Sequence, residues 1–322
     1  MLKNFSPQQF YEIFREIILG KKSDEFIKDF LLELNHLNLP QNAFTGAVQA
    51  LREDMKKINA PQNAIDVCGT GGDGLNTLNI STAVCFVVAA CGVAVAKHGN
   101  KAISSKSGSA DIFSEIGIKI SDDILEIEKN LREKKLCFLF APLFHAGLKN
   151  VAAIRKSIAA PTIFNFLGPL LNPANTRFQL IGVAKKDVME KIAHTIAQLN
   201  LCDRAYIVHG FDGMDEITLT DNSHLLRFEN GKIQAMEIVN PQDFGFNKVA
   251  VEALRGADPK HNAQKLIALF NGEKSAYRDV VTLNAAFALN LASGVTVGEA
   301  RAKIDEVIDK GDLIKLCQNL QN

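Results

Sequence analysis

The first sixty residues carry three stretches whose apolar positions recur every three or four residues, the period of one helical face. In the first, Ser6 is placed to cap and Pro7 to take the first helical position, with Gly20 as the stop. Ser23 can cap the second, where Phe26, Ile27, Phe30, Leu31 and Leu34 share a face; Phe44, Val48, Leu51 and Met55 make the stripe of the third. Pro61 closes this block, and the pattern changes. Short apolar runs at 64–67, 93–96, 136–140, 179–183 and 205–208 now alternate with helical stretches. Apolar runs without a polar face mean strands covered on both sides, so the pattern predicts a mainly parallel sheet between helices. "LLRFENGKIQAMEI" reads as a hairpin turning on Asn230-Gly231, and "NAQKLIALF", "YRDVVTLNAAFALNLA" and "VGEARAKIDEVIDKG" return to helix. The expected class is α/β, with a small helical domain (1–62), a large α/β domain (63–322) and a cleft between them. "TIFNFLGPLLNP" interrupts the alternation, so a segment near 160–180 is expected to join the helical domain.

Composition narrows the class. The 322 residues are 47% hydrophobic, enough for a sizeable core, and the formal net charge is zero, which argues against a nucleic-acid footprint. Six cysteines form no C-x-x-C pair and lie in apolar surroundings, as buried thiols of a reducing compartment do. The start has no signal-peptide apolar region, so a cytoplasmic location is expected. Residues 74–96 carry no charge, about the length of a membrane span, but Asn76, Thr77, Asn79, Ser81 and Thr82 and then Gly92 interrupt them. A buried helix over 82–90 followed by a strand is expected instead.

Candidate chemistry begins at "IDVCGTGGDGLNTLNIST", residues 65–82, where Gly69, Gly71, Gly72 and Gly74 follow an apolar run. Glycines this dense after a strand let backbone N–H groups close around phosphate. They satisfy G-x-G-x-x-G, but about twenty residues on, where a dinucleotide site needs an acid, the chain reads "VAVAKHGNK". The Gly-Lys-Ser/Thr ending of a P-loop is also missing. "KHGNKAISSKSGSAD" follows the second strand as the glycine loop follows the first, and brings Lys97, Lys101 and Lys106 with four serines. Loops leaving adjacent parallel strands share a crevice, and together these two suit a polyphosphate.

"GTGGDG", "NIST", "KHGNKAISSKSGSAD", "TIFNFLGPLLNPAN" and "VHGFDGMDEITL" together resemble the anthranilate phosphoribosyltransferase family of tryptophan synthesis. The resemblance implies transfer of a phosphoribosyl group from phosphoribosyl pyrophosphate to the amine of anthranilate, with release of pyrophosphate. It implies a donor site from Gly69, Gly72, Asp73, Thr77, Asn79, Ile80, Ser81 and Thr82, then Lys97, His98, Gly99, Asn100, Lys101, Ala102, Ile103, Ser104 and Ser105, with Ser109. It implies magnesium held by Ser81, Asp215 and Glu216, and anthranilate held by Gly69, His98, Asn100, His145 and Arg155. Hard oxygen ligands suit magnesium, and an arginine fork suits a carboxylate. No protein nucleophile is required. Asp73 could accept hydrogen bonds from ribose hydroxyls or metal-bound water, or repel departing pyrophosphate. A homodimer through the helical domain is implied, and an amidotransferase subunit of anthranilate synthase is a possible partner; nucleic acid and membrane are not expected partners.

Where the family usually reads His-Pro-Ala-Met-Lys, this chain has "HAGLK" at 145–149; where it usually reads Leu-Gly-x-Arg, "IAAP" stands at 158–161; and Lys101 replaces a common arginine. The first two lie by the acceptor path and leave the phosphate motifs intact. A pyrimidine nucleoside phosphorylase of the same fold and a non-catalytic nucleic-acid-binding relative are the alternatives. The lysine-rich loop and the acidic pair favour a pyrophosphate donor over the first, and the complete glycine loop and balanced charge disfavour the second.

Overall fold

The computed structural model describes residues 2–102 and 106–322. Helix α1 (Pro7–Ile18) begins at a capping box between Ser6 and Gln9, and Ser23 caps α2 (Asp24–His36) by accepting from the Phe26 N–H. These pack with α3 (Gln41–Asp54). Within the expected α2 stripe, Phe26 alone is exposed; it sits in the first turn and stacks on buried Phe30.

The remaining chain runs β1 (Ile65–Gly69), α4 (Ile80–Ala90), β2 (Val95–Gly99), α5 (Ser109–Glu115), α6 (Ile124–Glu133), β3 (Leu136–Phe140), α7 (Ala141–Phe144), α8 (Lys149–Ile158), β4 (Phe178–Gly182), α9 (Lys186–Leu199) and β5 (Arg204–Gly210). Then come β6 (Ser223–Glu229), β7 (Lys232–Ile233), β8 (Glu237–Val239), α10 (Pro259–Phe270), α11 (Ala276–Ser293), α12 (Val297–Asp309) and α13 (Asp312–Gln321). The sheet order is β3-β2-β1-β4-β5-β6-β7, with β8 also on β6; the first five strands are parallel and β6 runs against β5. Asn230 and Gly231, at φ 52° and 74°, make the expected turn between β6 and β7.

Both sheet faces are covered. Leu180, Tyr206 and Val208 join the core that contains α4 and α11, while Ile181, Val183, Ala205 and Ile207 point to the opposite face. On that face they pack with α9, α1–α3 and the 3-10 turns Ile163–Asn165 and Gly168–Leu171. All six cysteines are free and buried. Of the uncharged stretch, residues 80–90 form α4, buried in the core beside the sheet, and no single helix among the described residues is long and apolar enough to cross a membrane.

Strand order reverses between β1 and β4, and a parallel sheet opens a ligand crevice at that point, outside the carboxyl ends of its strands. β1 and β2 extend beyond their apolar runs, to Gly69 and Gly99, so that Lys97 and His98 lie on a strand rather than in the loop after it. The hydrophobic pattern under-marks these ends because their side chains serve the crevice.

Candidate active site

The glycines after β1 are needed for conformation. Gly71, Gly72, Gly74 and Asn76 have φ of 64°, 80°, 78° and 52°, a region that L side chains other than Asn and Asp rarely enter. Asp73 Oδ1 accepts the Leu75 N–H at 3.1 Å, so this carboxylate first of all holds the turn. The loop leans on residues 254–256: the Leu78 N–H donates to Leu254 O at 2.9 Å and the Gly256 N–H to Asn76 O at 2.8 Å.

Asp215 and Glu216 come from the connection between β5 and β6 and cross the ends of β1 and β4. Gly69 and Gly182 are register partners there. A Cβ on Gly182 would overlap the Asp215 carbonyl, and one on Gly69 would overlap its carboxylate. Asp215 Oδ2 accepts the Gly71 N–H at 2.7 Å, and Glu216 Oε1 accepts the Ser81 N–H at 3.0 Å in the first turn of α4. Lys97 is buried below them; its ammonium donates to Val67 O at 2.8 Å and lies 3.4 Å from Ser81 Oγ. Burial, then the charge of Asp73, pushes Asp215 up to about 7 despite the Gly71 N–H. Burial and Asp215 likewise raise Glu216 well above its ordinary value. Burial alone would lower Lys97, but the acidic groups around it, Cys85, Asp66, Cys68 and Glu216, outweigh this and raise it.

Carboxylates crowded this way favour a nearby cation. Among the described residues no group of three or more His, Cys, Asp or Glu could by itself hold a metal ion. Ser81, Asp215 and Glu216 are hard oxygen donors of the kind magnesium takes, and that ion fills the rest of its shell with waters and substrate phosphates.

The second loop is tied at its neck. Asp111 Oδ2 accepts the Ala102 N–H at 3.0 Å and the Gly108 N–H at 2.9 Å. Asn100 O accepts the Ala110 N–H at 3.2 Å and the Ser109 hydroxyl at 3.3 Å. Asn79 Nδ2 donates to Ser107 O at 3.1 Å, while its Oδ1 accepts from Asn262 Nδ2 at 2.9 Å. Thus the asparagine of "NIST" joins the two loops. The expected residues Ile103, Ser104 and Ser105 lie outside the described residues.

On the far side of the crevice the His98 and His145 rings lie 5.2 Å apart between centroids. His98 Nδ1 is 3.1 Å from Gly168 O; His98 Nε2 is buried with no hydrogen-bond partner among the described residues, and the buried His145 ring faces the Leu171 backbone without a well-formed hydrogen bond. Burial holds both imidazoles neutral, pushing His98 down to about 3 and His145 to about 4. Arg155, half-buried on α8, stands over the Phe164 ring at 5.4 Å and has no carboxylate partner among the described residues. In the altered "HAGLK" segment, a Cβ on Gly147 would run into the Ile18 side chain of α1, which accounts for glycine there.

These groups open into one cavity of about 320 Å³. Every expected site residue that the structure describes lines it, from the glycine loop, β2 and its loop, His145, Arg155 and the acidic pair. Sequence reasoning missed Phe164, Asn165, Gly168 and Asn262, which also line it, and Asp111 and Gly182, which support it. "TIFNFLGP" and "SGSAD" carried most of that signal, but as motifs without assigned roles.

Residues 61–314 match the family model described as glycosyl transferase family, a/b domain. The chain is 43% identical over 301 residues to the anthranilate phosphoribosyltransferase of Rhodospirillum rubrum, covering 92% of this chain and 86% of that protein. Its fold superposes on the crystal structure of the Thermus thermophilus enzyme of that name with a TM-score of 0.90 at 30% identity, covering 98% and 95% of the two chains. The Saccharomyces cerevisiae enzyme, solved in complex with PRPP and Mg, gives 0.90 at 26% identity, covering 98% and 92%.

Proposed function

The chain belongs to the anthranilate phosphoribosyltransferase family, and we propose that it joins the amine of anthranilate to C1 of phosphoribosyl pyrophosphate and releases pyrophosphate, a step of tryptophan synthesis. The observation that carries this reading is the cavity in which the two phosphate-type loops meet an arginine lacking a carboxylate partner among the described residues.

Breaking the C1–oxygen bond leaves positive charge on the ribose, while its electron pair departs with pyrophosphate. The glycine turn lines the cavity and, apart from the Gly71 N–H that Asp215 takes, would offer backbone N–H groups to the diphosphate, with positive charge added by Lys101 and Lys106 of the second loop. Ser81, Asp215 and Glu216 would hold magnesium, which supplies charge neutralisation to the leaving pyrophosphate when bound. Asp73, beside Asp215, is placed to accept from ribose hydroxyls or metal-bound water.

Anthranilate needs placement rather than activation. Arg155 would grip its carboxylate as a fork, with the guanidinium lying against the Phe164 ring. His98 and His145 are too weakly basic to store a proton, but as neutral rings they can accept hydrogen bonds from the amine. The amine lone pair forms the new N–C1 bond and its extra proton is lost afterwards. The helical part is taken as 1–62 with the segment near 160–180, whose Ile163–Leu171 stretch packs in one core with α1–α3, and the α/β part as the remainder. Closure of one on the other would exclude water, which competes for the activated ribose. Pairing of two chains through the helical part completes the proposal.

The test is loss of anthranilate fluorescence with magnesium and phosphoribosyl pyrophosphate, omitting each in turn. A decay requiring all three supports the reading. No decay, with the donor still bound in a magnesium-dependent way, would leave the phosphate site standing and overturn the acceptor.

A further inference from the structure

We propose that Asn284, outside the cavity, is a positioning residue that sets the height of the Asp215-Glu216 pair over the crevice. The proposal rests on the reading that this pair serves the metal and diphosphate. Asn284 lies on α11, is 0% exposed, and its amide treats Ile217 as a neighbouring strand would. Its Oδ1 accepts the Ile217 N–H at 3.0 Å and its Nδ2 donates to Ile217 O at 2.8 Å. Among the described residues these are the only hydrogen bonds of the Ile217 backbone. Nδ2 also donates to Val280 O at 2.9 Å, so both amide atoms are satisfied and the side chain cannot flip without loss.

Ile217 directly follows Glu216. The segment that carries the pair lies outside the strands, between β5 and β6, so other contacts must fix it. Downstream and upstream, the Asp212 carboxylate gathers the Met214 N–H at 3.0 Å, the Thr218 hydroxyl at 2.8 Å and the Thr220 hydroxyl. Above the sheet, Gly69 and Gly182 leave only enough room for the Asp215 backbone and carboxylate. What remains is displacement away from the sheet, and the hydrogen bonds by which α11 resists it come from Asn284. Since α11 also packs in the core against α4, one rigid body carries Asn284 while α4 carries Ser81, whose N–H meets Glu216. The pair is thus clamped between two packed helices, with Asn284 as one jaw.

Asn284→Ala removes both bonds to Ile217. Amide exchange across residues 212–220 in the unliganded protein should quicken about tenfold, and the Kd for phosphoribosyl pyrophosphate with magnesium, by calorimetry, should rise about tenfold. The KM for anthranilate should stay within about twofold, since its site is elsewhere. Glu216→Gln is the reference: in that background Asn284→Ala should add little further loss of donor affinity. A lowered melting temperature with donor affinity unmoved would make Asn284 merely structural and overturn the proposal. If Glu216→Gln itself leaves magnesium-dependent donor binding unchanged, the reading of the pair fails instead. Should Asn284→Ala not fold, isosteric Asn284→Asp keeps the acceptor for the Ile217 N–H, loses the donor, and serves in the same measurements.

Discussion

Gly182 makes the seat for Asp215: the backbone carbonyl of Asp215 lies where a Cβ on Gly182 would have to be. The clash is with backbone, which a rotamer change cannot relieve. Gly182→Ala should therefore lift the acidic pair and lower kcat/KM for phosphoribosyl pyrophosphate on the order of a hundredfold, the scale of a misplacement of about 1 Å. Gly298→Ala, where nothing lies within 4 Å of the new Cβ, is the control and should leave activity unchanged. Equal kinetics for the two variants would refute the seat.

Arg155 is cation-paired with the Phe164 ring and has no carboxylate partner among the described residues. Arg155→Ala should raise the KM for anthranilate about 10–100-fold, as expected for hydrogen bonds to a charged group, and leave the KM for phosphoribosyl pyrophosphate near its starting value. Arg155→Lys should restore little, because an ammonium cannot form the fork. Steady-state kinetics with each substrate varied separates the two effects.

The buried histidines give a pH prediction with a definite sign. His98 and His145 are held at about 3 and about 4 in the fold, against 6.5 when exposed. Below pH 6.5 the unfolded chain therefore binds protons that the fold refuses. Their contribution is full above about 6.5 and is lost as pH falls towards 4 and then 3, at up to about 1.4 kcal/mol per pH unit per histidine. Denaturant titrations between about pH 6.5 and 4 should show a shallower slope for His145→Gln than for the parent; identical slopes would contradict a neutral buried imidazole.

Asp111 ties the neck of the second loop with two charge-assisted bonds, to the Ala102 and Gly108 N–H groups. Asp111→Ala should raise the KM for phosphoribosyl pyrophosphate about tenfold or more, with anthranilate little affected, since each such bond contributes about 1.5–3 kcal/mol. Asp111→Asn, which keeps an acceptor without its charge, should fall between. A lowered kcat with both KM values unchanged would point away from the neck.

Much of the scaffold was legible because it is written in local terms. The caps at Ser6 and Ser23, the turn at Asn230-Gly231 and the continuous apolar runs each depend on neighbours a few residues away. The end of β2 lies beyond its apolar run because Lys97 and His98 are polar strand residues whose partners come from far along the chain. Helices α6, α8, α9 and α13 were not individually placed; α13 is short, and its buried residues, Leu313 and Cys317, gain their face only from the helices beside it.

The site divides in the same way. The glycine and lysine loops by themselves pointed to a polyphosphate, because conformational freedom and charge belong to the residues, whereas the acidic pair drew its reading from the family resemblance. The partners of those residues were decided only by the folded chain. Gly182 is an ordinary strand-end glycine until β4 comes to lie beside β1 and the Asp215 backbone crosses both. Asn284 reads as one polar position in an apolar helix until it meets Ile217 across 67 residues of chain. Close approach of two backbones and mutual satisfaction of buried amides are properties of pairs, and tertiary packing alone makes the pairs.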